Sequence, residues 1–469
     1  MSGEDDPRNR RSTGHDRSED SHDRSADSRD RSEDPRDRED GSRGSTGLDR
    51  DQYVVIGSVI ASTFFVGFGG GVIFPILPNL GEVLGISAFM VGLILSANRF
   101  SRLLANAPAG SLVDRIGTRT PFVVGLVIQG FATFGYVIAY VAPAPEAWFL
   151  LARLFWGLGS ALVFATAYTI AADVSQAGSR GTSMGLIRGG SIFGFPTGLV
   201  IGGIVSEVAD GVIPGIPGDV VAFVVATVFA LFAAVLAYLT VPETHVEGPA
   251  KRSVKPWEID RSVTTLTVGL VNFTILFAYI GALFATLVLF LGELELGVFG
   301  FDAQGSSGIF MAVTVVAAAV FMFYGGYVSD RRGSRVPTLL FFVGLSSVGF
   351  LVLAATDSVA TLTLACIFIG AGQGGTSGPL IALLADVTPN ERMGRATGTN
   401  NVFGDVGGGL GPLISLPLIE VVGFWPIYAV CALLPLIAGC ILLLGMHRET
   451  GHLFPTTESI DGTGDSPAD

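Results

Sequence analysis

Gly110-Ser-Leu-Val-Asp114-Arg115-Ile-Gly117-Thr-Arg119 returns 216 residues later as Gly326-Tyr-Val-Ser-Asp330-Arg331-Arg-Gly333-Ser-Arg335. Further along, Gly157-Leu-Gly159 is answered by Gly370-Ala-Gly372. Asp173, Gly181 and Gly185 are answered by Asp386, Gly394 and Gly398, both at an offset of 213. Several matches at nearly one offset indicate an internal duplication. Both copies of the decapeptide are charged islands between long apolar runs.

Those runs recur twelve times, approximately at 53–78, 87–113, 121–142, 146–171, 182–206, 219–241, 264–291, 304–328, 336–355, 358–384, 396–420 and 424–446. Each is long enough to cross a bilayer. Backbone polar groups cannot stay unpaired in hydrocarbon, so the crossing elements are helices or a closed barrel. Barrel strands alternate in polarity and are about half this length. The fold class is therefore all-α, with twelve transmembrane helices in two pseudo-symmetric six-helix bundles. Repeats of this kind point to a transporter whose site lies between the halves. The expected organisation is a tail at 1–50, bundles at 53–241 and 264–446, a linker at 242–263 and a C-terminal tail at 447–469.

Charge supports this reading. Residues 1–50 hold 26 of the 69 charged residues in a chain of 469. The remainder has about one charge per ten residues, where a soluble domain has about one in four. The tail has no apolar seam positions and is expected to be disordered. Cys366, Cys431 and Cys440 lie in apolar stretches without pairing or ligand spacing, and the five histidines fall outside the apolar runs. No disulfide framework, metal site or cofactor is expected. A net charge of −13 excludes a basic nucleic-acid-binding face. With the N-terminus inside, the inward loops carry Arg115, Arg119, Arg180, Lys251, Arg252, Lys255, Arg261, Arg331, Arg332, Arg335, Arg392, Arg395 and Arg448, and the outward loops no Lys or Arg. This positive-inside pattern places both termini in the cytoplasm of a multi-pass protein of the cell membrane.

The chain resembles the major facilitator superfamily over residues 53–446, in its drug/proton antiporter-like subgroup. The pattern G-x-L-x-D-R-x-G-x-R is matched by Gly110, Leu112, Asp114, Arg115, Gly117 and Arg119. R-x-x-x-G-x-G is matched by Arg153, Gly157 and Gly159, with Cys366 at the arginine's position in the second half. Pro75 and Pro78 match a Pro-x-x-Pro at the end of the first helix. The resemblance implies two bundles rocking about a central site lined by helices 1, 4, 7 and 10. It implies a cytoplasmic gate in which Asp114 attracts a helix N-terminus, and Arg115 and Arg119 pair with acids or lipid phosphates. Asp330, Arg331, Arg335, Asp173, Arg180, Asp386 and Arg395 occupy the matching positions, where they would otherwise serve as interfacial charges fixing topology. The family's helix 5 antiporter motif is altered, because Phe195 separates Gly194 from Pro196.

Ionisable groups inside the bilayer are costly and usually paired or functional. Arg153 is expected in coupling or substrate binding, or as a structural bond between helices. Arg99, Arg102 and Arg188 are the other intramembrane arginines. Asp405 is the one carboxylate near the middle of a helix. At 1.5 Å per residue, Arg102 and Asp405 both sit roughly 15–17 Å deep, so Asp405 is expected to pair with Arg102, or with Arg99 one turn away. It is also the first candidate proton carrier. Substrate-cavity candidates are Trp156, Asn272, Tyr279, Gln373, Asn400 and Asn401, each of which could instead bond helix to helix.

The expected function is proton-coupled export of a small organic solute, anionic or neutral, by a monomer in contact with membrane lipids. The alternatives are an importer or uniporter of the same fold and, remotely, a non-transporting receptor. An enzyme is not expected. Gly375-Thr-Ser377-Gly378 has the form of an intramembrane protease site, but no histidine lies in a membrane span to act as base.

Overall fold

The computed structural model describes residues 50–174, 180–244 and 259–455. The tail before residue 50, residues 245–258 of the linker, residues 456–469, and the side chains of Arg180 and Arg188 lie outside the described residues. What is described is almost wholly helical. The first half holds α1 Arg50–Leu84, α2 Ala88–Ile116, α3 Arg119–Val141, α4 Pro145–Val174, α5 Arg180–Val212 and α6 Gly218–Thr240. The second half holds α7 Val263–Glu293, α8 Ala303–Arg331, α9 Val336–Ala354, α10 Val359–Val387, α11 Asn390–Val422 and α12 Phe424–Thr450. Each is long and apolar enough to span a membrane. Twelve crossings return the chain to its starting face, called here the termini side, and the opposite face is the far side.

Several helices outrun the apolar segments that announce them. α1 continues through Pro75 and Pro78 to Leu84 instead of ending at the Pro-x-x-Pro, and α11 begins at Asn390, before its apolar run. Hydrophobicity marks where a helix meets hydrocarbon, whereas its end is set by capping. Ser87 and Ser262 accept from the backbone N–H groups of Met90 and Thr265 to start α2 and α7, and Ser358 and Thr361 form a capping box on α10. α7 is also not uniform. Its middle, Phe277–Leu283, is a π-helical segment.

The two halves pack alike. α1 lies along α5 as α7 lies along α11; α4 is wedged between α2 and α3 as α10 is between α8 and α9. The repeated Gly-x-Gly explains why. A Cβ on Gly157 would overlap the Asn98 carbonyl of α2, and one on Gly370 would overlap the Thr314 carbonyl of α8. Gly159 and Gly372 meet Gly125 and Ser346 of α3 and α9 in the same way. Without a hydrophobic drive between helices in lipid, such close backbone approach is what holds them.

The bundles touch chiefly through α2 with α11 and α5 with α8, with smaller contacts of α1 on α7 and α8. The hydrogen bonds and ion pairs that Asn79, Ser96, Arg99, Arg102, Glu207 and Gln304 make between the bundles lie from mid-membrane to the far side. These bonds hold the bundles together on the far side, so this conformation is closed there.

Candidate functional site

Between the bundles near mid-membrane lies a cavity of about 240 Å³. Phe195 and Ser191 of α5, Tyr279 of α7, Met322 of α8, and Gln373 and Ser377 of α10 line it. Tyr279 stands in the π-helical segment, a local widening of the helix that recurs at functional sites. The segment exists beside Gly411 of α11, where a side chain would overlap Gly281. Behind the lining, Phe195 stacks on Phe284 at 6.1 Å, and Tyr279 leans on Phe284 at 5.0 Å. No charged side chain is among the described lining residues. The cavity is an apolar, aromatic slot with a few hydrogen-bonding groups.

Of the six cavity candidates, Tyr279 and Gln373 are at the wall. Trp156 is buried instead, packed on Gly70 of α1 with the Arg153 guanidinium 5.6 Å from its ring. Asn272 donates to the Asn400 carbonyl at 2.9 Å, tying α7 to α11. Asn400 is buried and Asn401 exposed, neither at the described wall. The lining helices are α5, α7, α8 and α10, rather than the first, fourth, seventh and tenth that the resemblance implies.

The intramembrane charges form a separate cluster. Asp405 accepts from Arg102 and lies 3.5 Å from Arg99, so one carboxylate of the second bundle meets two guanidinium groups of the first. All three side chains are largely buried, Asp405 at 12% exposure. Gly408, one turn on, leaves room for the Arg99 guanidinium. Arg153 is 1% exposed. It donates to the Ile94 and Leu95 carbonyls at 3.3 and 3.2 Å and to Asn98 at 2.8 Å, clamping α4 to α2, while its Nη1 has no partner.

On the termini side, Asp114, Arg115 and Arg395 are exposed. No hydrogen bond or ion pair is seen joining Asp114 to another described residue. Arg119 donates to the Tyr238 carbonyl at 2.8 Å and lies over its ring. The N-terminus of α3 is held by Glu243, whose carboxylate accepts from the Thr118 N–H at 2.7 Å, the Thr118 hydroxyl at 2.9 Å and the Arg119 N–H at 3.3 Å. Thr244 reaches Asp173 at 3.3 Å. In the second half, Arg335 bridges Asp330 and Asp386, the latter at 3.0 Å, and Arg331 lies 4.5 Å from the Tyr327 ring. Burial alone would push the Arg335 guanidinium down, but its two carboxylate partners outweigh that and hold it above its ordinary value. Glu243 carries no motif of its own in the sequence. Only its place directly after α6 hints at it.

The model of the Major Facilitator Superfamily matches residues 59–412 and 304–458. The chain belongs to that superfamily. Multidrug resistance protein 1 of Bacillus subtilis is 24% identical over 388 residues, covering 79% of this chain and 91% of that protein. An uncharacterized MFS-type transporter of Methanocaldococcus jannaschii is 23% identical over 394 residues, 82% and 97% of the two chains. Among solved structures, a bacterial homolog of the human lysosomal transporter Spinster, inward-facing and occupied, matches with a TM-score of 0.69 at 17% identity, over 86% of this chain and 98% of that one. The superfamily member is thus a multi-pass membrane transporter and not an enzyme, resembling the drug/proton antiporter-like members.

Proposed function

We propose that this superfamily member exports small, uncharged, amphipathic organic solutes in exchange for protons, by alternating access, with both termini in the cytoplasm. The observation that carries the reading is Asp405 held between Arg99 and Arg102 across the bundle seam. As the far side closes, the two arriving cations displace a proton from the carboxyl toward the termini side. As it opens, the carboxylate leaves them and takes a proton from the far side. Conformation and protonation are then one event. The described lining, aromatic and without a charged side chain, favours a neutral solute able to stack and accept or donate one or two hydrogen bonds. That narrows the anionic-or-neutral expectation from the sequence. The termini are assigned to the cytoplasm because every Lys and Arg in the loops falls on their side. Similarity to a multi-drug resistance efflux pump of Streptococcus pneumoniae, 25% identical over 384 residues, supports the direction of transport.

The test is flux in liposomes holding the purified protein, with an imposed pH gradient. The panel is uncharged aromatic amphiphiles, organic acids and sugars. Gradient-driven movement of the first group, with Asp405→Asn insensitive to the gradient, is the expected result. Flux indifferent to pH in the unaltered protein would turn the reading to a uniporter, and binding without flux to a receptor.

A further inference from the structure

The far side is held shut by a polar lock that contains no cation. Glu207, near the far end of α5, accepts from the backbone N–H of Asp302 at 2.8 Å and of Gly305 at 3.0 Å, at the start of α8. Beside it, Gln304 donates to the Ser206 hydroxyl at 2.7 Å and to the Asp219 carboxylate at 2.8 Å, and accepts from Asn79 at 3.0 Å. Ser206 itself donates to Asp219. One glutamine of the second bundle is therefore gripped by α1, α5 and α6 of the first, while a carboxylate of the first caps a helix of the second. The backbones beneath are in contact. A Cβ on Gly203 would come 2.8 Å from the Gln304 carbonyl, and one on Gly308 would overlap the Leu199 carbonyl.

We propose that Glu207 and Gln304 are the far-side gate residues, which set how much of the protein stands closed on that side. The helix N-terminus carries unsatisfied N–H groups and partial positive charge, so an anion placed there is stabilising. Hydrogen bonds to an ionised acceptor are about twice as strong as neutral ones. All five cross-bundle bonds of Glu207 and Gln304 join α8 or its approach to the first bundle. Opening the far side must break them together, while every bond within either bundle can survive. The proposal rests on alternating access but not on the solute or the coupling ion. Neither residue lines the cavity or touches Asp405.

The test is pulsed-dipolar spin-label distance measurement on the full chain in lipid nanodiscs, in a Cys440→Ser background, since Cys440 is the exposed cysteine among the three. One label pair replaces Val212 and Phe299, exposed on the far side in opposite bundles. The other replaces Ile116 and Glu391, exposed on the termini side. Glu207→Gln with Gln304→Ala should raise the ratio of far-open to far-closed molecules at least tenfold, seen as a longer far-side distance. The termini-side distance should shorten in the same fraction of molecules. Unchanged distances in both pairs would overturn the proposal, and so would a broadened far-side distance with the termini side unmoved, which means local fraying. If the double variant does not fold, Gln304→Ala and Asn79→Ala singly must shift the same two distances in the same directions, or the proposal falls.

Discussion

Replacing Asp405 with asparagine should do more harm than replacing either arginine that holds it. At 3.5 Å and an effective dielectric of about 20, the Arg99–Asp405 attraction alone is worth about 5 kcal/mol before desolvation is counted. Desolvation of partly buried ions offsets much of this, and removing one partner of a buried pair typically costs about 3–5 kcal/mol because the other is stranded. Asp405→Asn strands two guanidinium groups that then repel each other. Arg102→Gln leaves the carboxylate with Arg99, and Arg99→Gln leaves it with Arg102. With the Arg102 side chain 27% exposed and able to reach water, we expect a loss of about 3 kcal/mol for Asp405→Asn and about 1–2 kcal/mol for either arginine variant. The double variant Asp405→Asn with Arg102→Gln should be less damaged than the sum of its parts by about 1 kcal/mol or more. Thermal unfolding in one detergent, with proton-driven flux alongside, measures the cycle. Strict additivity, or an Arg102→Gln variant as unstable as Asp405→Asn, would refute the shared-carboxylate account.

Other outcomes follow from neighbouring geometry. Gly157→Leu and Gly370→Leu should each abolish folded expression, since even a Cβ overlaps a backbone carbonyl of the adjacent helix, and Gly157→Ala should already lower the unfolding temperature. Glu243→Gln should cost about 1 kcal/mol through the weakened cap on α3, read as a lower unfolding temperature with the α7–α12 half unaffected in hydrogen exchange. Asp386→Asn should destabilise more than Asp330→Asn. Asp330 is 70% exposed and its bond to Arg335 is screened, whereas Asp386 is 17% exposed. Tyr279→Phe and Gln373→Ala should raise the solute KM by about fivefold to tenfold each, the loss of one hydrogen bond, with folding intact.

The twelve helices and their duplication were legible because a bilayer tolerates so few charges that each remaining one marks a boundary or a site. The approach of Arg102 to Asp405 was legible for a similar reason. Helical rise turns sequence position into depth, and two opposite charges at one depth in facing helices have few other partners. Cavity lining was less so. A helix that is apolar all round has no polar face to say which side looks inward, so Trp156, Asn272 and Asn400 read as plausible wall residues as readily as Tyr279 and Gln373. Packing decided it, with Asn272 spent on the Asn400 carbonyl and Trp156 on Gly70. The far-side lock was not legible at all. Asn79, Ser206, Asp219 and Gln304 are ordinary polar residues at helix ends, and only the fold shows that they meet. Nor could apolarity show that α7 departs from the α-helix at Phe277, in a π-helical segment where Gly281 comes close to Gly411.

The composition of the far-side lock has a consequence for the medium it faces. Pairs of full opposite charges near a surface weaken as ionic strength rises, because the screening length falls from about 10 Å at 0.1 M salt to about 3 Å at 1 M. Among the described residues, the partners of Glu207 and Asp219 are neutral backbone N–H, amide and hydroxyl donors, so little of their attraction is the charge-on-charge part that salt screens. The exposed ion pair Arg335–Asp330 lies on the opposite face. A wash in concentrated salt should therefore loosen contacts on the termini side and leave the far-side closure standing.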